Sequence, residues 1–188
     1  MTTAAEPPQG RESPSRRNPS ALDLLRSLLP LTLLILLVVW LYSPDDPAAV
    51  TAIDPAPELA YAATLVDFDV LAAEGLPSGW RPTSAALTPS TAKGPHTVRV
   101  GYVTPQERFA QVVQSDRPRS DLLDDVLGPD VTGVGPVDIA GVVWDGLRTA
   151  DRETALVRQE GTATVVVTGS APLDVLTGLA GSLRPVTP

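Results

Sequence analysis

Few side chains in this sequence can do chemistry, and their spacing narrows what that chemistry is. There is one histidine, His96, and no cysteine. A His-dependent nucleophile would have to use His96, yet no Gly-x-Ser-x-Gly elbow offers it a partner. A metal cluster built on His or Cys is excluded by count alone. The lack of Cys also removes disulfides, thiolate nucleophiles and a lipid-modified cysteine. His96 follows Gly94-Pro95 at the entrance to a strand pattern and reads as a surface residue.

The carboxylates give two clusters. Asp67 and Asp69 alternate, so a strand there would put both on one side, as a carboxylate-dependent hydrolase needs. Asp121, Asp124 and Asp125 share a helix face, where oxygen ligands could attract a hard cation such as Ca²⁺. Neither cluster has EF-hand spacing, and solvated acidic surface is the plainer reading of both. Gly133-Val134-Gly135-Pro136 lacks the Lys and the following helix of a phosphate-binding loop, and reads as a connector. Ser170, before Ala171-Pro172, suits a helix cap better than a nucleophile. No catalytic residue, metal ligand or cofactor site is assigned. Trp80, Arg81 and Trp144 remain: in so aromatic-poor a chain each Trp is either core or a contact. Trp beside Arg is a common hot-spot pairing, so the three are the candidate ligand or partner contacts.

The element that fixes where these residues work is Leu28 to Tyr42, an uncharged stretch of Leu, Ile and Val ending in Trp40 and Tyr42. Ser20-Ala21-Leu22-Asp23 has the form of a capping box. A helix from there to Tyr42 is about 33 Å long at about 1.5 Å per residue. Its uncharged part is roughly 25 Å, a little short of a ~30 Å hydrocarbon core, and Arg26 can snorkel across the difference. Residues 20–42 are therefore expected to be a transmembrane helix that contacts the lipid bilayer. A cleaved signal peptide is the lesser alternative, since Val50-Thr51-Ala52 lies well past the apolar run. Arg11, Arg16, Arg17 and Arg26 precede the span and Asp45-Asp46 follow it, which puts the N-terminus in the cytoplasm. The expected location is the plasma membrane, single-pass, with the C-terminal domain outside.

Residues 1–19, rich in Pro and Ser, read as a disordered cytoplasmic tail, and residues 43–58, with four Pro, as an extended linker. Residues 59–188 read as one α+β domain. Residues 43–188 carry 10 basic and 19 acidic side chains, a net of −9, so nucleic acid and anionic head groups are repelled.

Within the domain a short helix is expected over 59–66. Strands are expected over Trp80–Leu87, Thr97–Val103, with Val98, Val100 and Tyr102 on one face, and Phe109–Gln114. A helix follows at 118–127, capped by Ser120. Val137–Ile139 and Val142–Trp144 pair across Ala140-Gly141, and Thr154–Gln159 and Thr162–Thr168 form a hairpin. Pro172 opens a last helix on Leu173, Leu176, Ala180 and Leu183, with Arg184 in its final turn. Two strand–strand–helix units recur, giving one antiparallel sheet with both helices packed on it.

Leu76-Pro-Ser-Gly-Trp-Arg-Pro-Thr-Ser84, Val98-Arg-Val-Gly-Tyr-Val103 and Phe109-Ala-Gln-Val-Val-Gln-Ser115 carry a family resemblance. So do Val165-Val-Val-Thr-Gly-Ser170, Leu179-Ala-Gly-Ser-Leu-Arg-Pro185 and Leu28-Leu-Pro-Leu31. With them the chain resembles the actinobacterial single-pass membrane proteins known as domain of unknown function 4245. The resemblance implies layout and location but no activity. The Pro-x-Gly-Trp turn before an antiparallel sheet is also similar, at the level of fold, to PsbP-like domains. The expected function is a membrane-anchored binding or interaction module of the cell envelope, not an enzyme. Its partner would be an envelope protein or a small ligand. A carboxylate-dependent cell-wall hydrolase and a structural subunit of a membrane complex are the alternatives.

Overall fold

The computed structural model describes residues 28–35, 51–89 and 94–186. The chain divides into two units, Met1–Ala48 and Ala49–Pro188. In the first, the described residues form helix α1 (residues 28–35), exposed at every position. Among the described residues no helix is long and apolar enough to cross a membrane. The rest of the expected span, 20–42, lies outside the described residues, as does the expected tail, 1–19.

The second unit begins with α2 (Ala56–Ala63), β1 (Leu71–Ala73), β2 (Arg81–Thr88), β3 (Thr97–Val103) and β4 (Phe109–Ser115). It continues with α3 (Arg119–Leu127), β5 (Thr132–Ile139), β6 (Val142–Arg148), β7 (Thr154–Glu160) and β8 (Ala163–Gly169), and ends with α4 (Leu173–Gly181) and β9 (Leu183–Pro185). Seven strands form an antiparallel sheet in the order β2-β3-β4-β8-β7-β6-β5, and β1 pairs with β9 in a separate two-stranded sheet. The α+β class with an antiparallel sheet is as expected. The described residues of this unit include three helices, the first of them starting at Ala56 inside the stretch expected to be linker.

Side-chain parity explains the layers. β8 reads Ala-Thr-Val-Val-Val-Thr-Gly, β-branched enough to favour a strand, and it is buried throughout because both faces of the sheet are covered. Val165 and Val167 join one apolar cluster and Val166 the other. Val112 and Val113 divide in the same way, as do Leu156 and its neighbours Ala155 and Val157. The larger cluster takes Leu59 and Ala62 of α2 and Leu176, Leu179 and Ala180 of α4; the smaller takes Leu122 and Leu127 of α3. Each fully buried Leu contributes about 1.5–3 kcal/mol. α3 and α4 therefore lie on opposite faces. A twofold copy about the central pair Val113↔Val166 would put both on one face, so the echo between the two units is reuse of a motif.

Three expectations about element ends need correction. Gly133–Pro136 is no connector: it lies within β5, an edge strand with a register shift between Gly133 and Gly135. An edge needs no N–H from Pro136, and Gly135 (φ 107) accommodates the bulge. The last helix stops at Gly181, and Leu183–Pro185 turns away to pair with β1, taking Arg184 with it. Ser120 and Ser170 cap nothing: Pro118 and Pro172 hold the cap positions. The Ser170 hydroxyl instead accepts from the Phe109 N–H at 3.1 Å.

The small sheet is tied to the large one by a buried side chain. Gln114 of β4, 1% exposed, accepts from the Leu71 N–H through Oε1 and donates to the Leu71 carbonyl through Nε2, both at 2.8 Å. Its amide thus stands in for a strand neighbour of β1. The Glu74 N–H donates to the Ser182 carbonyl at 3.0 Å, which clasps the β1–β2 loop against the end of α4.

Candidate functional site

That clasp leaves a groove. One wall is the loop carrying Leu76, Pro77 and Trp80, a second is the β3–β4 turn with Pro105 and Gln106, and α4 closes the third side. Its volume is about 330 Å³. The loop meets the turn closely because residue 79 is Gly. Gly79 sits at φ 94, and a Cβ there would lie 3.2 Å from Pro105. The turn is braced from inside: Thr104 Oγ1 accepts from the N–H groups of Gln106 (3.3 Å) and Arg108 (3.1 Å). Trp80 is half-buried and stands edge-on to Tyr102, with ring centroids 6.1 Å apart at 76°. This T-shaped contact fixes the indole. Tyr102 is 3% exposed, and burial pushes its phenol up to about 12, against a weaker opposing backbone hydrogen bond from Ala73.

α4 presents Asp174, Gly178 and Ser182 at four-residue spacing, so one stripe of the helix faces the groove, with Val175 beside it. A Cβ on Gly178 would meet nothing within 4 Å, so this glycine deepens the floor without being forced by packing. Asp174 is exposed and has no ion-pair partner among the described residues.

Of the three contact candidates, only Trp80 lines this groove. Arg81, its neighbour in sequence, donates from Nη2 to both carboxylate oxygens of Glu107, at 2.8 and 2.9 Å. Arg81 therefore does not share this groove with Trp80. Trp144 is corrected from contact to core: it is 1% exposed, with the Arg158 guanidinium 4.9 Å from its ring centre. Arg158 is held in turn by Glu160 at 2.7 Å.

The other clusters also resolve. His96 is buried, at 4% exposure, against the surface placement expected of it. Its N–H donates to Asp116 Oδ1 at 2.6 Å, and its carbonyl accepts from the Ser115 hydroxyl at 2.6 Å. Asp67 and Asp69 lie in a bend before β1, not on a strand. Both are exposed and share with Glu160 an open depression of about 420 Å³. Asp125 is occupied by Arg99 at 2.7 Å and Arg117 at 3.3 Å, so this one carboxylate of the three fastens α3 to β3. Among the described residues no group of three or more His, Cys, Asp or Glu is placed to hold a metal ion.

Sequence reasoning missed Pro105, Gln106, Asp174 and Gly178. Gly178 left the one readable signal, a glycine inside an otherwise regular helical pattern, which costs about 1 kcal/mol against Ala.

A family model described as "Protein of unknown function (DUF4245)" matches residues 16–183. The chain belongs to that family. No curated protein matches this DUF4245 chain in sequence. Among the solved structures similar to it are two complexes. One is the crystal structure of MucB in complex with MucA(peri), at TM-score 0.35 and 18% identity, covering 63% of this chain and 37% of that one. The other is the complex structure of Pseudomonas aeruginosa MucA/MucB, at TM-score 0.34 and 19% identity, covering 65% and 37%. The DUF4245 chain thus spans little more than a third of the length of these neighbours, and a likeness at these scores carries no argument about its site.

Proposed function

We propose that this protein is a membrane-tethered binding module of the cell envelope, with its α+β domain held outside the plasma membrane. The observation that carries the binding role is the Trp80 groove: an aromatic wall locked by Tyr102, a bracing turn, and a helix floor left open at Gly178. Ligand sites combine apolar walls with a few placed polar groups, and this groove has both. The tether rests on the apolar run 28–42 and on α1, whose Leu28, Leu29, Leu31, Leu33, Leu34 and Ile35 are spread round the helix and are all more than half exposed. A helix apolar all round needs a lipid or protein environment. The excess of Arg before the run supports this orientation.

The test is cross-linking in cells through a photoreactive residue at Gln106. A partner adduct should form, and Trp80→Ala should abolish it while costing the fold about 2 kcal/mol. An adduct that survives Trp80→Ala removes the groove from the binding role. A second reading, a carboxylate-dependent hydrolase acting on cell-wall glycans, is favoured by one observation, the depression shared by Asp67, Asp69 and Glu160. Glycan cleavage by the wild-type protein that is lost in Asp67→Asn/Asp69→Asn would establish it; no cleavage ends it.

A further inference from the structure

Building on the groove reading, we propose that the occupant is an extended peptide segment of a protein partner. An apolar side chain seats over Gly178 against Trp80, and a neighbouring Lys or Arg pairs with Asp174.

Length sets the class. From Asp174 to Ser182 the helix stripe runs eight residues, about 12 Å at about 1.5 Å per residue. An extended peptide rises about 3.3 Å per residue, so three or four residues lie along it. The volume of about 330 Å³ is at the small end of ligand pockets (~300–1,000 Å³) and suits one or two side chains. Depth comes from the open floor at Gly178 and the fixed wall at Trp80.

Charge sets the sign. Asp174 is the one ionised side chain lining the groove and is free of ion pairs among the described residues. It belongs to a region, residues 43–188, of net charge −9, which steers cations in and turns anionic segments away. The same field disfavours an anionic lipid surface as occupant.

The experiment is an array of acetylated hexapeptides pairing Leu, Phe, Trp or Val with Lys, Arg, Asp or Glu at every spacing. It is probed with the full chain in detergent micelles. Signal should gather on the Lys and Arg peptides, with the best of them binding about fivefold tighter than its Asp or Glu counterpart. Asp174→Asn should bring that ratio below about twofold. Gly178→Leu, which fills the floor, should remove the signal, while Gly178→Ala should leave the unfolding midpoint unlowered, showing that the helix accepts a side chain there. Equal binding of both charge classes, or a preference that survives Asp174→Asn, overturns the proposal. So does Gly178-dependent binding to phosphatidylglycerol vesicles in place of peptides. If Trp80→Ala still abolishes the cross-linked partner in any of those cases, the occupant's class falls and the groove's binding role stands. No array signal together with an adduct indifferent to Trp80 ends both.

Discussion

Replacing Gln114 by Leu tests how the small sheet is held on the large one. The two side chains are of similar size, so the change removes polar atoms and little volume. Wild-type Gln114 satisfies both backbone groups of Leu71, itself 2% exposed. In the variant a donor and an acceptor stay buried without partners, each costing about 1–3 kcal/mol. The expected loss is about 3–4 kcal/mol, a large share of the ~5–15 kcal/mol typical of a domain. With about 2.1 cal/mol/K of unfolding entropy per residue over about 140 residues, the midpoint should fall by about 10 °C. Chemical unfolding followed by circular dichroism gives the free energy, and amide exchange gives the location: Leu71 should lose protection before Val113 or Val166. A loss under about 1 kcal/mol with Leu71 still protected would refute the reasoning, for β1 would then be held by β9 and apolar packing alone. Gln114→Glu adds a pH signature. A buried carboxyl can donate to the Leu71 carbonyl only when protonated, so burial raises its folded pKa above the unfolded value. That variant should be most stable at acid pH and lose stability as pH rises through the folded pKa.

Three other outcomes follow from the same geometry. Tyr102 has a folded pKa near 12 against 10.0 for the free side chain; its contribution is whole below pH 10 and lost as pH rises from 10 to 12. That loss should be about 3 kcal/mol by chemical denaturation, and Tyr102→Phe should abolish it. Trp144→Ala should cost about 3–5 kcal/mol in urea unfolding, since it opens a cavity under Arg158. Arg81→Ala should cost under about 1 kcal/mol and leave partner cross-linking at Gln106 intact, because its ion pair with Glu107 is solvent-exposed and lies outside the groove.

Much of the scaffold is legible where pattern and burial agree. Thr97–Tyr102 alternates in sequence, and Val98, Val100 and Tyr102 go to one apolar cluster as the alternation implies. The β7–β8 hairpin is marked by the Thr154–Val157 stretch and the β-branched run Thr164–Thr168 on either side of Glu160-Gly161. Legibility fails where a local signal has two physical meanings. Gly133-Val-Gly-Pro136 has turn chemistry, but an edge strand tolerates both a glycine bulge and a proline. β1 and β9, three residues each, have no periodicity to read; they exist because Gln114, over 40 residues away in sequence, offers β1 a partner. His96 follows a Gly-Pro that suggests exposure, yet Asp116 and Ser115 clamp its backbone and draw it in. The groove was legible at Trp80 and faintly at Gly178, since Asp174 and Pro105 reach it through tertiary packing. Adjacency misled at Arg81: a residue next to Trp80 in the chain turned to a different partner.

The claim beneath the proposed function is topological: the domain that carries the groove faces away from the cytoplasm. The chain has no native Cys, so a single Cys can be placed at Ser15 or at the exposed Asp151 and labelled in intact cells with a membrane-impermeant maleimide. The account predicts labelling at position 151 and none at position 15 until the cells are opened. Labelling at 15 with 151 protected would contradict it.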